Sequence, residues 1–315
     1  MSITEGAVRC GFVSMEELLA DYVRYQRRHR GLSESSVARH QRYAGLFLGD
    51  FELTGRICLS ELGVEQIQAY LSGYAKSHGR GVTRLMFSTV RMLLRYLYLE
   101  RHLPSDLSAA VPTIKYHQLS HVPRRISEDA IAELLCSIDR SLDIGRRDYA
   151  IVLILSTYGV RGVHVRQLLL DDILWEENRI VFKATKGGKR IIQHLTGSVG
   201  NALLDYLGQS RPKHTSCREV FLTCRGRPKP FSKPGILSGV VSRRLRFAGI
   251  ELPEGVTRGT HSFRHAFATR MVCGSQPFKH VADMLGHKCI NSTMIYTKID
   301  LPTMRQATLE WPEVL

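Results

Sequence analysis

The sequence predicts a mainly α-helical chain with a small β-hairpin, organised as an N-terminal helical bundle followed by a mixed α+β domain. Three observations predict it. From about Ser14 to Ala110, apolar residues recur at helical spacing and no strand pattern interrupts them. Two short β-prone runs, Arg179-Ile180-Val181-Phe182 and Arg190-Ile191-Ile192, flank a glycine pair. From Val241 onward the pattern is helical again.

Residues 1–13 read as an N-terminal extension and residues 14–111 as the bundle. Met15 to Val23 carries the first apolar stripe. Ser33 is placed to cap a second helix, with Val37, Ala44 and Phe47 on one face. Val64 to Tyr70 forms a short third helix after the turn-like Glu61-Leu62-Gly63. Thr83 to Glu100 forms a long fourth helix with Val90, Leu93, Leu94 and Leu97 inward. Its Arg84, Arg91 and Arg95 are expected to face a phosphate backbone. Residues 112–126, with two prolines and no periodicity, read as a linker. Residues 127–300 form the second domain, opening on Ser127-Glu128-Asp129, an N-cap followed by acidic residues. Its helix from Arg147 to Thr157 holds the longest apolar run, Tyr149 to Leu155, which is too short to span a membrane. Residues 301–315 form a tail.

Composition narrows the partner. Lys and Arg number 44 against 29 Asp and Glu, a net charge of +15. Such an excess costs self-repulsion that a polyanion relieves, so nucleic acid is the expected partner. Seven cysteines without CxxC spacing indicate neither a disulfide framework nor a zinc site. The N-terminus shows no secretion signal. A cytoplasmic protein is expected, associated with the nucleoid when bound to DNA.

Six residues in the C-terminal half stand in an order that suits breaking a phosphodiester: Arg161, Lys186, His261, Arg264, His287 and Tyr296. Taken singly each has an ordinary reading. Arg161 and Lys186 could be solvated, His261 and Arg264 could sit on an amphipathic helix, His287 could follow a helix end at Gly286, and Tyr296 could be core. Together they supply what transesterification needs. Arginine bonds phosphate oxygens bidentately and stays charged. Lysine can protonate a leaving oxygen when nearby cations lower its pKa. Histidines exchange protons near neutrality. Tyrosine is a nucleophile whose covalent product can persist and be reversed.

On these motifs the chain resembles the tyrosine recombinases, or phage integrase family. The stretch from Arg147 to Ile173 is similar to the family's first box and Thr260 to Thr269 to its second. Leu285-Gly286-His287 through Tyr296-Thr297 is similar to its closing segment. The Leu32 to Val37 helix start resembles the family's core-binding domain. The resemblance implies two domains clamped around double-stranded DNA, with a catalytic domain at the C-terminal end and no metal or other cofactor. It implies Tyr296 as nucleophile, forming a 3′-phosphotyrosyl link, and Arg161 and Arg264 on the non-bridging oxygens. It further implies Lys186 as the acid, His261 assisting Tyr296 and His287 donating to the phosphate. A homo-oligomer on DNA follows, a tetramer in the synaptic complex with the tail docked in trans, serving a mobile element by integration or excision. Two positions depart from the family pattern. His164 stands where a carboxylate usually holds the first arginine, and His194-Leu195 stands where Pro-Leu is usual. A type IB topoisomerase, a catalytically weak DNA-binding accessory protein and a basic RNA-binding helical protein are the other readings.

Overall fold

Helix α1 (Met15–Arg30) starts the N-terminal unit with Glu16 and Glu17 in its first turn and Arg27, Arg28, His29 and Arg30 in its last. Those charges match the helix dipole at both ends. The structure is a computed structural model. It describes residues 12–53, 56–59, 62–114, 124–184, 190–224, 226–286 and 293–299. By its contacts the chain forms two compact units, residues 1–116 and 117–315. The expected linker falls largely on residues 115–123, outside the described residues, as does the tail.

In the first unit, α1 packs on α2 (Glu34–Gly49), and α4 (Arg80–Leu99) packs on both α2 and α3 (Val64–Ser77). Helices α3 and α4 are both longer than their apolar stripes indicated. Val90, Leu93, Leu94 and Leu97 of α4 are fully buried, as their spacing predicts. Each such side chain contributes about 1.5–3 kcal/mol. Ser33 occupies the N-cap position of α2, but its hydroxyl bonds those of Ser35 and Ser36 and caps no helix N–H.

Two expectations for this unit are corrected. It does contain a sheet, with β1 (Phe12–Ser14) and β2 (Glu52–Leu53) pairing antiparallel on either side of β3 (Arg56–Cys58). Strands of two or three residues are too short for alternation to show in the sequence. Nor are all the α4 arginines free for a phosphate backbone. Arg91 Nη2 donates to the carbonyls of Val111 and Pro112, both at 2.9 Å. Arg95 pairs with Asp106 at 3.0 Å. The two ties fasten α4 to the chain on either side of the 3-10 turn Leu107–Ala110, Arg95 before it and Arg91 after it.

The second unit is built around α6 (Asp143–Tyr158), whose Ala150, Ile151, Val152, Ile154 and Leu155 are completely buried. It packs against α5 (Glu128–Ser137), α8 (Gly197–Asp205), α9 (Ile236–Phe247) and α10 (Thr260–Cys273). Ser127 caps α5 by accepting from Ala130 N at 3.2 Å. Asp148, fully buried, accepts from Arg147 at 2.7 Å and from Arg244 at 2.8 Å, tying α6 to α9. Removing one partner of such a buried pair costs about 3–5 kcal/mol, because a desolvated charge is left behind.

The hairpin forms as expected. Strand β4 (Ile173–Leu174) pairs with β5 (Arg179–Phe182), and β5 pairs with β6 (Ile191–His194), all antiparallel. Its tip, residues 185–189, lies outside the described residues. Two short helices complete the parts used below, α7 (Gly162–Arg166) and α11 (Phe278–Leu285). Among the described residues, no helix is long and apolar enough to cross a membrane.

Candidate active site

The site is assembled where three helix ends meet. Helix α6 ends at Gly159, which has φ 58° and ψ 18°. Glycine adopts that left-handed conformation without penalty. It also clears a neighbour, since a Cβ there would lie 2.5 Å from Cδ1 of the buried Phe267. Two residues later Arg161 occupies the N-cap of α7. At the second end, α11 stops at Gly286, again left-handed with φ 62°. A Cβ on Gly286 would lie 2.6 Å from Cδ1 of Ile191 in β6. The strand leaving the Lys186 tip and the helix end preceding His287 therefore touch. Lys186 and His287 themselves lie outside the described residues.

Arg264, on α10, joins these ends. It is 4% exposed and donates from Nη1 to the Gly159 carbonyl at 3.0 Å and from Nη2 to the Leu285 carbonyl at 2.8 Å. Both acceptors are terminal helix carbonyls with no partner inside their own helices. Each sits at the negative end of a helix dipole, which offsets part of the cost of burying the cation. Burial, and then the charge of Arg161, pushes the Arg264 pKa down to about 9, so the group remains charged at neutral pH. Arg161 is half-buried, and burial lowers its pKa too. Among the described residues neither guanidinium has a carboxylate partner. Two partly desolvated cations within reach of each other's charge, with no carboxylate partner among the described residues, form a receptor for an anion.

Helix α10 is not an ordinary amphipathic helix. Phe263 and Phe267 are buried, but so are Ser262, Arg264, Ala268 and Thr269, so the helix is enclosed on nearly every side. A conventional polar face is missing because Arg264 has its polar partners inside the protein. His261 remains exposed at the first turn, and its pKa is lowered by partial desolvation and by Arg264 and Arg161.

His164, at the position where a carboxylate was noted as usual, is 3% exposed, with its ring against Phe182. Burial first, then Arg161 and Arg264, pushes its pKa down to about 4. It is therefore neutral at physiological pH and supplies Arg161 no counter-charge. His194 accepts from the Tyr158 hydroxyl through its backbone carbonyl at 2.9 Å. That role does not depend on the side chain.

Tyr296 lies in a 3-10 helix, Met294–Ile299, and is 2% exposed. It is enclosed with Phe267, Ala268, Val272, Val281 and Leu285. Burial pushes its phenol up to about 12, with Arg264 pulling the other way. Its hydroxyl is 2.7 Å from Nδ1 of His265. His265 was not singled out from the sequence. Its one available signal was position, a helical turn beyond His261 and next to Arg264.

Comparisons with known proteins identify the family and the fold. The chain matches the phage integrase family over residues 124–301. It is 34% identical to y4rA of Sinorhizobium fredii, a proposed integrase/recombinase, over 95% of this chain and 72% of that one. It is 28% identical to the tyrosine recombinase XerD of Lacticaseibacillus casei, over 90% of this chain and 94% of that one. A lambda integrase tetramer bound to a Holliday junction has the same fold, with a TM-score of 0.67 at 18% identity, covering 97% of this chain and 81% of that one.

Proposed function

The chain belongs to the phage integrase family and is a site-specific DNA recombinase, and on that premise we propose that it cuts and rejoins DNA through a 3′-phosphotyrosyl intermediate on Tyr296. The observation that carries this reading is the pair of guanidiniums, Arg161 and Arg264, without a carboxylate partner among the described residues and close to a buried tyrosine.

The scissile phosphate takes the place of the missing counter-charge. Arg161 and Arg264 hold its two non-bridging oxygens, whose charge grows in the transition state. The Tyr296 oxygen attacks phosphorus and the bond to the 5′-oxygen breaks. Lys186 gives that oxygen its proton, leaving a free 5′-hydroxyl. His261 assists the removal of the phenol proton, and His287 donates a hydrogen bond to the phosphate. The 5′-hydroxyl of a second strand then attacks the phosphotyrosine, so one phosphoester bond replaces another and bond energy is conserved.

The protein binds DNA and works as an oligomer. We assign the finer picture by likeness: a tetramer on two DNA sites, with residues 301–315 docked on a neighbouring protomer, serving integration or excision of a mobile element in the cytoplasm. The test is Tyr296→Phe on a nicked suicide duplex carrying the protein's own site, mapped by sequencing bound DNA. The expected variant binds as well as the parent and forms no covalent complex. A covalent complex with the variant would remove Tyr296 from the reaction.

A further inference from the structure

In this structure the Tyr296 side chain is withdrawn from solvent. Its side chain is enclosed by apolar residues from α10 and α11, and it is 2% exposed. A phenol buried that way needs a polar partner, because an unsatisfied hydroxyl costs about 1–3 kcal/mol. The partner is His265, whose Nδ1 lies 2.7 Å from the hydroxyl, with the two ring centroids 5.8 Å apart. The direction of the bond follows from the surroundings. Burial, then His261 and Arg264, holds the His265 pKa below its usual value, so the ring is neutral near pH 7. The phenol keeps its proton there. The hydroxyl therefore donates and Nδ1 accepts.

We propose that His265 is a positioning residue that holds the Tyr296 hydroxyl in a sequestered resting state, and that breaking this hydrogen bond is a step the enzyme takes before attack. The proposal rests on the assignment of Tyr296 as nucleophile. Its logic is chemical. A tyrosine that attacked whenever one duplex was bound would leave a broken strand with no second strand to receive it. A latch made of one neutral hydrogen bond is weak enough for DNA binding to open. It is also strong enough to bias the resting population, since about 1.4 kcal/mol is a factor of ten.

The full-length enzyme is prepared with 3-fluorotyrosine, and the resonance of position 296 is identified by its loss in Tyr296→Phe. Without DNA, that resonance should resist broadening by a soluble gadolinium chelate. In His265→Leu, which keeps bulk and removes the acceptor, it should broaden. On the nicked suicide duplex, His265→Leu should form covalent complex roughly two- to tenfold faster, the factor one neutral hydrogen bond sets. His265→Asn, whose amide oxygen reaches the position of Nδ1, should return both readouts toward the parent. A resonance that stays protected in His265→Leu overturns the proposal, and so does slower trapping by that variant. Failure of the nucleophile assignment is separable, because it shows as covalent complex in Tyr296→Phe while the relaxation measurement still reports on the hydrogen bond.

Discussion

Arg264 Nη1 donates to the carbonyl of Gly159 at 3.0 Å, so Arg264 is held by the turn that launches Arg161. Arg161 lies two residues beyond that glycine, at the start of α7. One substitution at the turn should therefore disturb both. In Gly159→Ala, the left-handed backbone costs about 1–2 kcal/mol, and a Cβ 2.5 Å from Phe267 adds about 1–3 kcal/mol of overpacking. Thermal or denaturant unfolding should show a loss of roughly 2–5 kcal/mol. Suicide-substrate trapping should fall with it, because the carbonyl that orients Arg264 moves.

Arg264→Lys separates charge from geometry. The lysine keeps the cation but cannot reach the carbonyls of Gly159 and Leu285 together, since its ammonium is a single point where the guanidinium is a fork. A stability loss of about 1–3 kcal/mol is expected from the unpaired carbonyl. Covalent complex formation should fall at least about a hundredfold, as for removal of one transition-state donor. A variant that traps DNA at the parental rate would show that the fork geometry is immaterial.

The buried His164 predicts a pH dependence. Its folded pKa of about 4 lies below the ordinary value of 6.5. Between those values the unfolded chain binds a proton that the folded chain does not, so stability rises with pH across this window. As pH falls from 6.5 to 4, up to roughly 3 kcal/mol should be lost at this group. His261 and His265, whose pKa values are also lowered, add to the same slope. Denaturant midpoints between pH 7 and pH 4 should therefore fall less steeply in His164→Leu than in the parent. Parallel curves would mean that His164 titrates alike in both states.

Lys186 can be tested through its leaving group. Replacing the bridging 5′-oxygen of the scissile phosphate by sulfur gives a leaving group that needs no proton. Lys186→Ala should cleave the oxygen substrate poorly and the sulfur substrate at near the parental rate. Equal defects on both would make the lysine an electrostatic or structural group.

What was legible in the sequence was whatever local periodicity or order encodes. Val90, Leu93, Leu94 and Leu97 could be assigned inward because their spacing is that of a helix face. The pairing of β5 with β6 followed from two β-prone runs either side of glycines. The order of Arg161, Arg264 and Tyr296 was readable as a motif. What was hidden depends on partners distant in the chain. Arg91 looked like a free surface cation, and its acceptors at Val111 and Pro112 come from a segment after the helix has ended. The burial of Arg264 was invisible because its counterparts are backbone carbonyls, which no residue type announces. His265 drew no attention because its partner, Tyr296, belongs to another element, and only folding brings the two together.

The most direct measurement of the central claim is the identity of the residue that carries DNA. The parent protein is incubated with the nicked duplex of its mapped site, the covalent complex is digested, and the nucleotide-bearing peptide is sequenced by mass spectrometry. The account predicts a single modified peptide, with the 3′-phosphate on Tyr296. Attachment at another residue, such as the buried Tyr158 of α6, or the absence of any protein-linked nucleotide from a substrate that is cut, would contradict it.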